Sequence, residues 1–222
     1  MKRIFLLIAI LALTGMACSF SLDAIGGGEG AEDASQDSSI LFQDDFSDVD
    51  SGWDRAQTEN AVTDYQDGAS YHIAISSENY GAWANPYRNF TDTRVEVDTA
   101  LQGGGEDNAF GIICRYANID NFYVGMISSD GYYGFFQRNG GGSLQYLNME
   151  NMLTSDAINL GGSNNRVRLD CVGNTLTLYV NGVFVGETFD DRLGAGDVGL
   201  YAKTFGDIST DVVFDNFVVR QP

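Results

Sequence analysis

TRVEVDTAL, residues 93–101, decides the fold. Val95, Val97 and Thr99 alternate with Arg94, Glu96 and Asp98, a period of two that sets one row of side chains inward and a charged row outward, as on a strand half exposed to solvent. The same alternation runs through VRLDCV (167–172), TLTLYV (175–180) and VVFDNFVV (212–219). Working outward, strand-like runs recur at 40–46, 60–66, 69–76, 92–102, 108–116, 121–128, 131–138, 143–148, 166–172, 175–180, 183–187, 196–203 and 212–219. Turn signals such as Asp67-Gly68, Ser129-Asp130-Gly131, Gly173-Asn174 and Asn181-Gly182 separate them. No segment carries a helical stripe, and MENMLTSDAI (149–158) makes at most a short turn of helix. About thirteen strands in about 180 residues predict an all-β, two-sheet antiparallel sandwich or jelly roll.

The chain has 222 residues, enough for one sizeable core, with 12 basic against 31 acidic side chains and a formal charge of −19. That balance argues against nucleic acid as a partner, because too few cations exist to neutralise phosphates. It equally disfavours docking on anionic lipid through a basic patch. One His and three Cys leave no soft-ligand cluster for zinc and no triad beyond what His72 could serve.

Residues 1–17 read as a secretory leader: Lys2 and Arg3 open it, and Ile4 to Leu13 form an apolar run too short to span a bilayer. The run ends in Thr14-Gly15-Met16-Ala17, directly before Cys18. This junction resembles the lipobox of bacterial lipoproteins, which implies that Cys18 is acylated and becomes the first residue of the mature chain. Gly15 stands where that family prefers Leu, and ordinary cleavage nearby with an unmodified Cys18 is the alternative. Residues 18–39 are rich in Gly, Ser, Ala, Asp and Glu, a composition that cannot offset its ordering entropy and so predicts a flexible acidic tether. The folded domain then spans 40–222. The expected location is the cell envelope, with membrane contact only through the lipid anchor.

Setting Cys18 aside leaves Cys114 and Cys171, an even pair in an exported protein. Both lie in strand-like runs, GIICRY and VRLDCV. A bridge between neighbouring strands is expected, with two separate buried thiols as the alternative.

Three segments resemble the concanavalin A-like lectin/glucanase superfamily. DDFSDVDSGW (44–53) is similar to its opening strand, FGIICRYANIDNFYVGMISSDGYYGFFQR (110–138) to its central meander, and 166–191 with 196–219 to its closing strands. The resemblance implies a concanavalin A-like jelly roll. Its nearest branch is the 3-keto-disaccharide hydrolase domain, related in fold to family 16 glycoside hydrolases and laminin G domains. It also implies a structural calcium site near the first and last strands, where Asp45 and Asp215 match the placement. No other cofactor is expected.

Glycoside hydrolysis needs two carboxylates about 5 to 10 Å apart. Family 16 enzymes carry Glu-x-Asp-x-x-Glu on one strand face. Here Glu96-Val97-Asp98 is followed by Thr99-Ala100-Leu101, with no second Glu. Other adjacent acids (Asp44/Asp45, Glu106/Asp107, Asp190/Asp191) are expected by chance at this acid content, and His72 in an alternating strand reads as structural. Aromatic residues are the stronger signal, clustering between 110 and 146. Alternation puts Tyr133, Phe135 and Gln137 on one face and Tyr132, Phe136 and Arg138 on the other, and leaves open which is outward. Rings beside amide and guanidinium groups suit sugars, whose C–H faces stack while their hydroxyls take hydrogen bonds. The candidate carbohydrate contacts are Trp83 and Tyr87 in the loop GAWANPYRN, with Arg115, Tyr123, Tyr133 and Gln137; rings that merely cover a sheet are the alternative. The expected function is a surface lipoprotein whose sandwich binds carbohydrate or cell-envelope glycan without hydrolysing it. The rivals are a 3-keto-disaccharide hydrolase-like enzyme and a laminin G-like protein-interaction module.

Overall fold

The computed structural model describes residues 39–66, 68–206 and 209–222. The leader 1–17, Cys18 and the tether up to residue 38 lie outside the described residues. The strands are β1 (Ile40–Asp44), β2 (Ala56–Gln57), β3 (Ala61–Gln66), β4 (Ser70–Ile75), β5 (Gly81–Ala84), β6 (Thr93–Gly104), β7 (Asn108–Asn118) and β8 (Asn121–Ile127). They continue with β9 (Tyr132–Asn139), β10 (Gln145–Tyr146), β11 (Leu153–Thr154), β12 (Asn165–Val172), β13 (Thr175–Val180), β14 (Val183–Phe189), β15 (Asp197–Thr204) and β16 (Thr210–Arg220). Every expected run is a strand. The additions are β2, β5 and β11, each too short for its period to register in the sequence.

The strands form two antiparallel sheets. One has the order β14-β13-β12-β6-β16-β4-β3-β2, with β1 also paired to β16; the other runs β10-β9-β8-β7-β15-β5, with β11 on β9. TRVEVDTAL lies in β6, at the centre of the nine-stranded sheet. Its Val95 and Val97 are fully buried between the sheets, while Glu96 and Asp98 point outward and meet Arg166 of β12 at 3.1 and 3.2 Å.

Cys114 of β7 and Cys171 of β12 are joined. Because β7 and β12 belong to different sheets, the bridge runs across the core and pins one sheet to the other, rather than linking neighbours within a sheet as expected. A strand pair inside one sheet is already held by its ladder; the two sheets are held only by side-chain packing, so this is where a covalent link adds most.

The segment 149–158 forms no helix. Met149 packs against the inter-sheet core and Met152 against a second apolar cluster on the far side of the seven-stranded sheet. Residues three apart would share a face of a helix, so an extended chain that bonds β9 through Leu153 and Tyr133 wins instead.

Candidate functional site: the outer face of the seven-stranded sheet

Both faces of the seven-stranded sheet are apolar. Phe110, Ile112, Cys114, Tyr123, Ile127, Tyr133 and Phe135 face the other sheet and belong to the main core. The alternate positions Ala109, Ile113, Phe122, Val124, Met126, Phe136 and Tyr201 form the second cluster on the outer side. An amphipathic antiparallel sheet would turn polar side chains there; this one turns out rings.

The outer rings form a connected floor. Trp83 on the edge strand β5 pairs with Tyr201 of β15, and their rings lie 6.1 Å apart and within 4° of parallel. Phe122 lies 5.9 Å from Trp83 and 5.4 Å from Tyr116. Gly81 makes room for this: a Cβ there would sit 2.1 Å from the Tyr201 hydroxyl.

Arg138 of β9 places its guanidinium carbon 5.6 Å from the Trp83 ring centre. β9 and β5 are four ladder steps apart, about 19 Å on a flat sheet, more than the two side chains can span. The sheet is therefore curved, with its outer face concave. The register shifts in β7 after Cys114 and in β15 after Asp197 add the local twist that curvature needs. The Arg138 Nε is buried and has no hydrogen-bond acceptor among the described residues. Burial pushes the Tyr201 hydroxyl up to about 12, partly opposed by the charge of Arg138.

Toward the other end of the face, Tyr146 lies against Phe136 at 4.8 Å, and Lys203 holds its ammonium 4.9 Å from the Phe205 ring. A cavity of about 350 Å³ opens here, lined by Tyr132, Tyr146 and Phe205 with Asn108, Ser128 and Asn151 among its polar groups. Its rim acids are engaged: Asp107 accepts the Gly206 N–H at 2.7 Å, and Asp130 accepts the Ser128 hydroxyl.

The expected contacts divide sharply. Trp83 is on this face, on a strand rather than in a loop. Tyr87 follows it in the rim loop, 73% exposed, with its hydroxyl donated to Asp54; that bond pushes the phenol up to about 12. The other four face inward and are corrected. Tyr123 and Tyr133 are buried in the inter-sheet core. The Tyr123 hydroxyl donates to Asp190 and accepts the Leu193 N–H, and Tyr133 fills the space left by Gly186 on β14. Gln137 lies directly opposite Tyr123, on the same inward row. Arg115 is 3% exposed and structural, paired to Asp92 at 3.3 Å and donating to the Leu193 carbonyl at 2.8 Å. Sequence reasoning placed Phe136 and Arg138 on one face of an aromatic cluster without choosing that face as the outward one, and it missed Tyr201. The available signal was the alternation of small with large residues, as in Gly199–Tyr201 and Gly134–Phe136, which lets rings lie flat on neighbouring strands.

For the proposed metal ligands, Asp45 and Asp215 are close enough that the charge of Asp45 acts on the Asp215 carboxyl, which burial raises first and Asp98 also raises. Among the described residues no group of three or more His, Cys, Asp or Glu could hold a metal ion, so the calcium expectation rests on this pair alone.

Fold and face together define a concanavalin A-like jelly roll with an aromatic concave surface. No family model matches the chain, and no curated protein matches it. Solved structures do. Carbohydrate binding module CBM66 from Bacillus subtilis superposes with TM-score 0.60 at 16% identity, over 77% of this chain and 96% of that one. The Bacillus licheniformis beta-glucanase gives 0.59 at 12% identity, over 84% and 100%, and LamAcat from Zobellia galactanivorans gives 0.57 at 14%, over 83% and 98%. These likenesses establish the fold.

Proposed function

We propose that this protein is an exported, lipid-anchored module that binds carbohydrate on the concave face of its seven-stranded sheet and does not hydrolyse it. The observation that carries the reading is the partly exposed Trp83 ring, backed by the buried rings of Tyr201 and Phe122, with the Arg138 guanidinium beside it: a flat ring and a polar head, the two contact types a pyranose needs. Solved neighbours that include a carbohydrate binding module and glucanases support a saccharide as the ligand class. The half-motif Glu96/Asp98 lies on the opposite sheet, tied to Arg166, which supports binding without turnover. Affinity electrophoresis against neutral and acidic polysaccharides tests the reading. Retardation by at least one is expected, weakened about tenfold or more by Trp83→Ala; a blank panel refutes it. Labelled palmitate is expected in the wild-type chain and not in Cys18→Ala; equal labelling of both refutes the anchor.

One observation favours hydrolysis as a second reading. Burial pushes the Asp197 carboxyl up to about 6, against three backbone N–H donors, with Asp54 adding to the rise. A raised acid beside a second carboxylate is how glycosidases hold their proton donor. The donors from Tyr87, Arg88 and Val198, however, make Asp197 the clamp of the rim loop. Turnover of a 3-keto-glycoside that Asp197→Asn abolishes would select the enzyme.

A further inference from the structure

The acids of this chain are distributed unevenly. The strands of the nine-stranded sheet carry eight: Asp44, Asp64, Glu96, Asp98, Asp170, Glu187, Asp211 and Asp215. Those of the seven-stranded sheet carry one, Asp197, at the very start of β15. In a chain of charge −19, the strands of this sheet are thus nearly free of carboxylates, and the acids at the rim of its cavity, Asp107 and Asp130, are already engaged.

Its cations are also set apart. Arg55, Arg94, Arg115, Arg166, Arg168 and Arg192 each meet a carboxylate. Among the described residues Arg88, Arg138 and Lys203 have no ion pair with a carboxylate; Arg88 is exposed over Phe42, and the other two are on the concave face. Arg138 is oriented by the Trp83 ring, with a buried Nε from which nothing among the described residues accepts. An unanswered buried donor is costly, and a guanidinium fork matches the two oxygens of a carboxylate or sulfate. Lys203 is half-buried against Phe205, and burial lowers its pKa with no carboxylate to offset it. Each would gain from an anion brought by the ligand.

We propose that the saccharide taken by this face is anionic, its carboxylate or sulfate received by Arg138, with Lys203 as a second cationic contact further along the same face. The inference rests on the carbohydrate reading above. The Arg138 guanidinium reaches the Trp83 ring, which pairs with Tyr201, two residues before Lys203 on β15, while the Lys203 ammonium turns to Phe205. They are neighbouring contacts that successive charged units of one oligosaccharide can meet. The acidic opposite sheet does not prevent this, because charges further than about 8 Å are largely screened at physiological salt.

Titration calorimetry on the full chain with three oligosaccharides of matched length, a neutral β-glucan, an oligogalacturonate and a sulfated galactan, tests the proposal. One of the two acidic ligands is expected to bind at least about tenfold tighter than the neutral one, with affinity falling as salt rises. Which acidic ligand wins distinguishes carboxylate from sulfate. Arg138→Gln is expected to erase the preference, bringing the acidic ligands to the affinity of the neutral one in the same variant, and Lys203→Gln to reduce it. Arg138→Lys, which keeps the charge and loses the fork, serves if Arg138→Gln does not fold, and is expected to lose part of the preference. Equal affinity for neutral and acidic ligands overturns the anion assignment while leaving the carbohydrate reading standing, as does an acidic preference that survives Arg138→Gln. No binding of any of the three overturns both.

Discussion

Breaking the Cys114–Cys171 bridge tests how the two sheets are held together. The bridge closes a loop with a sequence separation of 57, for which the chain-entropy relation gives about 4.2 kcal/mol at 25 °C. A domain of about 180 residues unfolds with an entropy of about 0.38 kcal/mol/K, so the loss corresponds to a fall in Tm of about 11 °C. Both half-cystines are fully buried, and the double variant Cys114→Ala/Cys171→Ala should fall at least as far, because the missing sulfurs leave space that the rigid sheets close only in part. The assay is scanning calorimetry of the full chain with and without reductant, alongside thiol counting on the denatured, unreduced protein. The bridged pair should contribute no thiol, and Cys18 one only if it is unacylated. A fall of about a degree or two on reduction, or two thiols beyond Cys18, would refute the argument that a cross-core link fixes the sandwich.

Gly81→Ala drives a methyl to within 2.1 Å of the Tyr201 hydroxyl. Melting should fall by only about 3 to 8 °C, as for an overpacked site, while saccharide affinity drops about tenfold or more; unchanged affinity would remove the Tyr201–Trp83 floor from the site. His72 is raised from 6.5 by Asp211, 3.4 Å away, and further by the charge of Asp64. Its contribution is full below the unfolded value and lost as pH rises through the folded one, so Asp211→Asn should lower Tm by about one or two degrees at about pH 5 and leave it unchanged at about pH 8. Asp215 is also raised, but as an acid: burial, Asp98 and Asp45 all disfavour its charge. Its penalty is absent below the ordinary Asp value and grows as pH rises through the folded one, so Asp215→Asn should raise Tm at about pH 7 and not at about pH 3. The same melts test the metal: calcium held by Asp45 and Asp215 should raise the wild-type Tm after EDTA and leave the variant unmoved, and a flat wild-type response discards it.

The nine-stranded sheet was legible because one of its faces meets water. In β6 the solvent side selects Arg94, Glu96 and Asp98 and the core side selects Val95 and Val97, so the period is written in polarity. The seven-stranded sheet carries no such record. Tyr132-Tyr133-Gly134-Phe135-Phe136 puts rings on both sides, and what sends Tyr133 inward is the gap at Gly186, a glycine of the other sheet 53 residues further along. The partner sheet of Cys114 was hidden for the same reason: that β7 and β12 face each other follows from strand order, which alternation does not encode. A sheet apolar on both sides must still answer for its second face. Residues 144–152 cover part of it with Leu144, Tyr146 and Met152, which accounts for the Phe136 end by the protein's own packing. Among the described residues nothing accepts from the buried Arg138 Nε beside Trp83, and the Trp83 ring remains partly exposed. The absence of acids from these strands follows from the same burial that removed their alternation. What a second core does not account for is a guanidinium set against a partly exposed Trp83 ring, and that is what separates a ligand face from a second core.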